Sequence, residues 1–231
     1  MPPRVTILVP VYNEQSSIEP VLRAVWETEV GDKEIVVVDD GSDDQTGAIL
    51  ARLRREFPLR VITHPKNRGK GQAIQTGLAQ CRGEIVLLQD ADFECDPRHY
   101  RALLAPFSDP RTTVVYGSRY LSPSHPSPPV HRLANWVITA WVNLLFGSSL
   151  TDAETGYKLF RRTIVERIPL RAQGFEFEVE FTCKALRLGH AIREVPVVSV
   201  RRTYAEGKKI TWKDGLVALW VIVRCRLDPH Y

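Results

Sequence analysis

Four short runs of aliphatic and β-branched residues, Val5–Pro10, Glu34–Asp39, Leu59–Ile62 and Glu84–Gln89, recur through the first part of this 231-residue chain. Between them lie segments with helical spacing. One starts at about Ser17 and carries Ile18, Val21, Leu22 and Val25, one follows Asp43, and one runs from Gly71 to Gln80. Strands that are apolar on both faces and alternate with helices predict an α/β fold, a mostly parallel central sheet flanked by helices. Ligands of such sheets sit at the carboxyl ends of the strands.

The later part is less regular. Val114–Arg119 reads as a strand and turn, and Pro123, Pro126, Pro128 and Pro129 mark an exposed loop. A helix is expected from about Arg132 to Phe146, a short strand over Tyr157–Phe160 and a helix over Glu178–Leu188. A strand over Ile192–Val200 and a closing helix from Trp212 to about Arg224 complete the pattern. No repeat and no linker divides the chain, and at 44% hydrophobic it can bury one sizeable core.

Bulk charge excludes little: a formal +4 gives no reason to expect nucleic acid as a partner. Cys81, Cys95, Cys183 and Cys225 are scattered without metal-ligand spacing. With no signal-peptide-like start, they read as reduced cytoplasmic thiols. The longest uncharged run, Leu133–Phe146, would span about 21 Å as a helix against a bilayer core of about 30 Å. It is too short to cross a membrane.

The polar motifs fall at the strand ends. Tyr12-Asn13-Glu14 follows the first strand, Asp39-Asp40-Gly41-Ser42 the second, Asn67-Arg68-Gly69-Lys70-Gly71 the third and Asp90-Ala91-Asp92 the fourth. Alternate residues of an extended chain face one side, so Asp90 and Asp92 aim together. Such a pair suits a hard divalent cation that shares its oxygen ligands with substrate phosphates. Each motif also has a bland reading, since Ser16 and Asp43 can cap helices and the glycines can form turns. Four acidic or Gly-rich loops on one edge read together as a site for a nucleotide and a metal.

These motifs, in this order, resemble the family 2 glycosyltransferases with the Rossmann-like GT-A fold. The resemblance continues through Tyr116-Gly117-Ser118-Arg119-Tyr120 and Thr151-Asp152-Ala153-Glu154-Thr155-Gly156-Tyr157-Lys158-Leu159-Phe160-Arg161, and covers Val5 to about Lys213. The later elements look most like the branch that makes dolichyl- or polyprenyl-phosphate sugars. The resemblance implies one domain over residues 1–231, with residues 1–96 binding nucleotide-sugar and metal and residues 97–231 binding the acceptor. Pro10, Tyr12, Glu14 and Asp39 would surround the base and ribose, and Asp40 and Lys70 would border the nucleotide pocket. Asp90 and Asp92 would hold Mg²⁺ or Mn²⁺ on the diphosphate, with Glu94 as a third ligand where relatives often have Gln. Arg119, Arg132 and Arg202, with Lys208 nearby, would receive the acceptor phosphate. Asp90, Asp92, Arg119 and Asp152 make up the implied catalytic set, and the usual course is inversion by a single displacement.

The chemistry agrees. A nucleoside diphosphate leaves poorly until cations neutralise its developing charge. A phosphate monoester acceptor is largely ionised near pH 7 and needs positioning more than a base, whereas an alcohol would need one, such as Asp152 or Glu154. Arg201, Arg202, Lys208, Lys209 and Lys213 form a basic segment suited to phosphate, with Gly207 as a hinge for a lid. Two helices carry tryptophan. In the first, Asn135, Thr139 and Asn143 form a narrow polar stripe opposite Leu133, Trp136, Val137, Ala140, Trp141, Leu144 and Leu145. The second carries Trp212, Leu216, Leu219, Trp220 and Val223, then Arg224 and Arg226. Such helices lie either in a lipid interface or in a core. A long prenyl acceptor favours the interface and a peripheral position on the cytoplasmic face of a membrane, reached directly, through a membrane partner protein or as a homo-oligomer. A soluble family 2 enzyme with a saccharide or small hydroxyl acceptor is the alternative; burial of both helices would favour it. A nucleotidyltransferase would open with a Gly-rich phosphate loop, where this chain has Tyr12-Asn13-Glu14.

Overall fold

The structure, a computed structural model, describes residues 4–122, 128–199, 211–228 and 231. Strand β1 (Val5–Val11) leads through α1 (Ile18–Glu27) to β2 (Lys33–Asp39). The chain continues through α2 (Thr46–Glu56) to β3 (Leu59–Thr63), and through α3 (Lys70–Leu78) to β4 (Ile85–Leu88). These four strands pair in parallel in the order β3-β2-β1-β4, as the alternating pattern predicts.

Alternate residues of each strand go to opposite faces. Ile7, Val9, Ile35 and Val37 meet Ile18, Val21, Leu22 and Val25 of α1 and Leu50 and Leu53 of α2. Leu8, Val36, Val38 and Val86 meet Ala73 and Ile74 of α3 on the other face. Such continuous runs can be buried only under two layers of helix.

The second half adds α4 (Tyr100–Leu104), β5 (Val114–Ser118), α5 (Pro129–Phe146), β6 (Lys158–Arg161), α6 (Phe177–Arg187), β7 (Ile192–Pro196) and α7 (Trp212–Leu227). The full order is β3-β2-β1-β4-β6-β5-β7. Strand β6 is wedged between β4 and β5 and runs antiparallel to both, while β7 returns parallel to β5. Because β6 is reversed, its leading end lies at the same edge as the trailing ends of β1, β2 and β4. The loop that enters β6 therefore joins the loops that leave the parallel strands.

The helical segment Pro97–Ser108, with α4 between two 3₁₀ turns, was not expected. Pro97 and Pro106 interrupt its periodicity, yet Tyr100 and Leu103 are fully buried. Helix α5 starts earlier than expected, with Pro129 at its first position, where a missing N–H costs nothing. It ends at Gly147, whose φ of 66° is the left-handed cap geometry. The last strand stops at Pro196, and Val200 lies outside the described residues.

Helices α5, α6 and α7 share a third cluster built from Ile138, Val142, Val179, Cys183, Val221 and Ile222. Among the described residues no helix is long and apolar enough to cross a membrane. The polar stripe of α5 faces inward: Asn135 and Thr139 are buried beside Ile138 and Val142. Thr139 Oγ1 accepts from Ala153 N at 3.1 Å, and Asn143 Nδ2 donates to Leu150 O at 2.8 Å. The broad apolar face therefore points outward. Trp136 is 66% exposed and Leu144 77%, and on α7 Trp212 is 72% and Trp220 55% exposed.

Candidate active site

Two loops at the carboxyl edge clasp each other. Asn13, in the left-handed region at φ 52°, donates from Nδ2 to Asp43 Oδ1 at 2.6 Å and accepts from Asp43 N at 3.0 Å. Its own N–H reaches Ser42 Oγ at 3.0 Å. Glu14 N donates to Thr46 Oγ1 at 2.9 Å, and Ser17 Oγ donates to Glu14 Oε2 at 2.7 Å. Asn tolerates positive φ better than most residues, which explains its place at this turn.

Asp40, buried at the end of β2, organises the next loop. Its carboxylate accepts from Arg68 N at 3.0 Å and Gly69 N at 2.7 Å. His64 Nδ1 lies 2.6 Å from Asp40 Oδ1, and His64 Nε2 lies 2.9 Å from Thr76 Oγ1. Gly69 has φ 95°, and a Cβ there would collide with Gln173 O. The loop is thereby drawn down so that Lys70, the first residue of α3, points into the site.

Lys70 begins a chain of alternating charge. Its Nζ lies 2.6 Å from Asp90 Oδ1 and 3.0 Å from Glu178 Oε1, and Lys158 Nζ lies 2.8 Å from Glu178 Oε2. Burial alone would weaken the Lys70 ammonium, but Asp90 and Glu178 more than offset it and hold its pKa well above the ordinary lysine value. For Glu178, burial pushes the carboxyl up while Lys158 and Lys70 win, leaving it below the usual range.

The loop entering β6 is pinned along its length. Lys158 Nζ donates to Ala153 O at 3.1 Å and Thr155 O at 2.6 Å. Thr155 Oγ1 donates to Gly117 O at 2.6 Å. Glu194 of β7 accepts from Thr151 N at 2.9 Å and Asp152 N at 3.1 Å. At one end of this loop Asp152, fully buried, holds Arg119: Nε donates to Oδ2 at 2.7 Å and Nη2 to Oδ1 at 2.8 Å. Burial would lower the Arg119 pKa, but Asp152 overrides it and keeps the guanidinium charged. At the other end Gly156 lies so close to Asp90 that a Cβ would strike Asp90 Oδ2. Between them Glu154 carries a buried Oε1 with no hydrogen-bond partner among the described residues, and burial raises its pKa to about 7.

One cavity of about 950 Å³ joins these parts. Pro10, Tyr12, Glu14, Asp40 and Lys70 line it, as do Asp90, Asp92, Glu94, Arg119 and Glu154. It continues between α5 and α7 past Val130, Ala134, Ile138, Trp212 and Ala218. Three residues expected at the site do not line it. Asp39 is buried and accepts from Ser42 N at 3.0 Å, which fixes the loop after β2. Asp152 acts through Arg119, and Arg132 is exposed near the start of α5. Arg202 and Lys208, with the rest of the basic segment up to residue 210, lie outside the described residues.

The carboxylates fit a divalent cation only in part. Asp90 and Asp92 open onto one cavity, which suits a Mg²⁺ or Mn²⁺ that keeps positions for phosphate oxygens and water. Asp92 Oδ1 accepts from Glu94 N at 2.9 Å, fixing the turn between them. Among the described residues no three His, Cys, Asp or Glu side chains gather into a ready cage, so the expected trio with Glu94 is not assembled. A cation here would draw its remaining ligands from the substrate.

Glu178 and Lys158 were missed by sequence reasoning. Lys158 carried a signal: a lysine inside the run Tyr157-Lys158-Leu159-Phe160 is buried whichever way the strand faces, and a buried ammonium needs an acid.

Comparison with known proteins bears on the family. The profile of glycosyl transferase family 2 matches residues 6–169. An undecaprenyl-phosphate mannosyltransferase of Micrococcus luteus is 31% identical over 97% of this chain and 99% of its own length. A polyprenol monophosphomannose synthase of Mycolicibacterium smegmatis is 31% identical over 97% of this chain and 89% of its own. A dolichyl-phosphate beta-glucosyltransferase of Trichomonas vaginalis is 30% identical over 83% of this chain, which spans 64% of that longer protein. Among solved structures, glucosyl-3-phosphoglycerate synthase from Mycobacterium tuberculosis with Mn²⁺, uridine diphosphate and phosphoglyceric acid superposes with a TM-score of 0.73. It is 22% identical, with 96% of this chain and 77% of that one covered. At that identity the likeness is one of fold. Matched over most of its length by the family profile, and 31% identical to two relatives named for polyprenyl-phosphate mannose transfer or synthesis, the chain belongs to glycosyl transferase family 2.

Proposed function

We propose that this protein transfers a hexose, with inversion, from a nucleotide-sugar to a polyprenyl or dolichyl phosphate. One observation carries the reading: the cavity has a charged end at Asp90, Asp92, Lys70 and Arg119 and runs on between two helices whose outer faces are apolar. An acceptor with a phosphate head and a hydrocarbon tail matches both ends. The curated relatives with 31% identity are named for acceptors of this class.

In this reading Pro10, Tyr12 and Glu14 border the nucleoside, and Asp90 with Asp92 hold Mg²⁺ or Mn²⁺. The cation, when bound, neutralises charge on the departing diphosphate. Lys70, kept protonated, stands beside the same carboxylate and supplies a second positive charge. Arg119, locked by Asp152, presents a guanidinium to the acceptor phosphate. An oxygen of that phosphate attacks the anomeric carbon as the bond to the nucleoside diphosphate breaks, so no proton need be removed at the acceptor. The outward tryptophans of α5 and α7 would rest in the lipid headgroup region, with the cavity mouth against the bilayer. A cytoplasmic position would follow from the supply of nucleotide-sugars.

The test is a transfer assay with Mn²⁺ or Mg²⁺, labelled GDP- and UDP-sugars and a short polyprenyl phosphate, with EDTA and acceptor-free controls. Metal-dependent formation of a lipid-phosphate sugar from one donor supports the reading and names the sugar. Donor consumption with product only on an alcohol or saccharide overturns the acceptor assignment.

A further inference from the structure

Among the described residues, Glu154 is the one carboxyl of the cavity whose surroundings are built while its own end is left open. Its backbone neighbours are fixed on both sides. Ala153 is held by Thr139 Oγ1 and Lys158 Nζ, and Thr155 by Lys158 Nζ and Gly117 O. The side chain nevertheless lines the cavity with Oε1 withdrawn from water and without a hydrogen bond. A buried polar atom left unsatisfied costs of the order of 1–3 kcal/mol, and in a native fold such an atom calls for an explanation, a functional role or a bound partner among them.

The loop geometry limits what that ligand is. Asp152, two residues before, holds the cation assigned to the acceptor phosphate, and Gly156, two residues after, packs on Asp90, assigned to the donor diphosphate. Glu154 thus lies between the group that receives the sugar and the group that releases it. In a direct displacement only the sugar ring occupies that interval. Its hydroxyls both donate and accept, which suits either charge state of a carboxyl.

We propose that Glu154 binds a hydroxyl of the hexose in transit and so sets which sugar is accepted. The inference rests on the nucleotide-sugar reading of the cavity. It assigns Glu154 to sugar specificity and differs from its use as a base on an alcohol acceptor.

The experiment is calorimetric titration, with Mn²⁺ present, of wild type, Glu154→Gln and Glu154→Ala. The ligands are UDP-glucose and GDP-mannose, their free nucleoside diphosphates, and singly deoxygenated forms of whichever donor binds. A single cooperative thermal transition in each establishes that the variants are folded, and Glu154→Gln keeps the side chain's volume. The expected result is a nucleotide-sugar affinity about tenfold or more lower in Glu154→Ala, with free nucleotide binding within about twofold of wild type. One deoxy donor should lose affinity for wild type and lose nothing further for Glu154→Ala. Equal binding of the sugar nucleotide by all three proteins overturns the inference. So does unchanged binding with turnover reduced about a hundredfold or more, which would make Glu154 a base. Failure of wild type to bind any nucleotide-sugar or nucleotide overturns the underlying reading instead.

Discussion

Arg119 meets Asp152 through two parallel hydrogen bonds, from Nε at 2.7 Å and Nη2 at 2.8 Å, and the carboxylate that accepts them is wholly buried. The pair is set from behind. Glu194 holds the backbone of Thr151 and Asp152, and Ser118 Oγ lies 2.6 Å from Thr151 Oγ1. The guanidinium is therefore held in one place at the wall of the cavity it lines.

Asp152→Asn should damage both fold and function. The substituted amide places N–H groups against a guanidinium that has only donors. Breaking a buried pair costs about 3–5 kcal/mol, and the partial exposure of Arg119 brings the expectation to about 2–4 kcal/mol. Denaturant titration reads this loss, and turnover with a polyprenyl phosphate should fall about a hundredfold. Unchanged turnover would remove Arg119 from the acceptor site.

Gly156→Ala acts on the metal side. The new Cβ meets Asp90 Oδ2, so the carboxylate must swing away from its present place. Mn²⁺ binding in the presence of nucleoside diphosphate, followed by the electron paramagnetic signal of the free ion, should weaken about tenfold. The scale is that of a displaced supporting contact at a metal site. Affinity equal to wild type would show that Asp90 is not a ligand.

Stability should depend on Glu154 in a definite direction. Its folded pKa of about 7 lies above the ordinary glutamate value of about 4.5, so its favourable contribution is complete below about pH 4.5 and is lost as pH rises through about 7. At about 1.4 kcal/mol per unit the loss is at most about 3.5 kcal/mol. Without ligands, Glu154→Gln should flatten the fall in melting temperature between pH 5 and pH 8. Parallel melting curves for the two proteins across that range would contradict this.

Trp136→Glu combined with Trp220→Glu should abolish co-sedimentation with anionic lipid vesicles. Both rings project from the outer faces of α5 and α7, so neither change opens the core. Transfer to a short, water-soluble polyprenyl phosphate should stay within about threefold of wild type. Retained vesicle binding would place the membrane contact elsewhere.

The first half was legible because its code is local. Runs such as Val36-Val37-Val38 admit no position except the middle of a covered sheet, and the acidic loops must follow them. The second half depends on partners far apart in sequence. Nothing near Lys158 announces Glu178, and the reversal of β6 follows from packing against β4 and β5. The α5 stripe was read correctly as polar, but periodicity does not say which way it faces. Its direction is set by Thr139 and Asn143 satisfying the loop at Leu150–Ala153.

The position of β6 also governs how the chain comes into being. Strand β4 is complete at Leu88, but the strand that covers its outer edge begins at Lys158, roughly 70 residues later. At about 5–20 residues per second, synthesis leaves that edge bare for roughly 4–14 s. Ile85, Val86, Leu87 and Leu88 are all buried in the finished sheet, so the emerging chain presents a short apolar edge open to wrong pairing. Bringing the loop that enters β6 to the middle of the sheet thus makes the nascent protein dependent on its own second half.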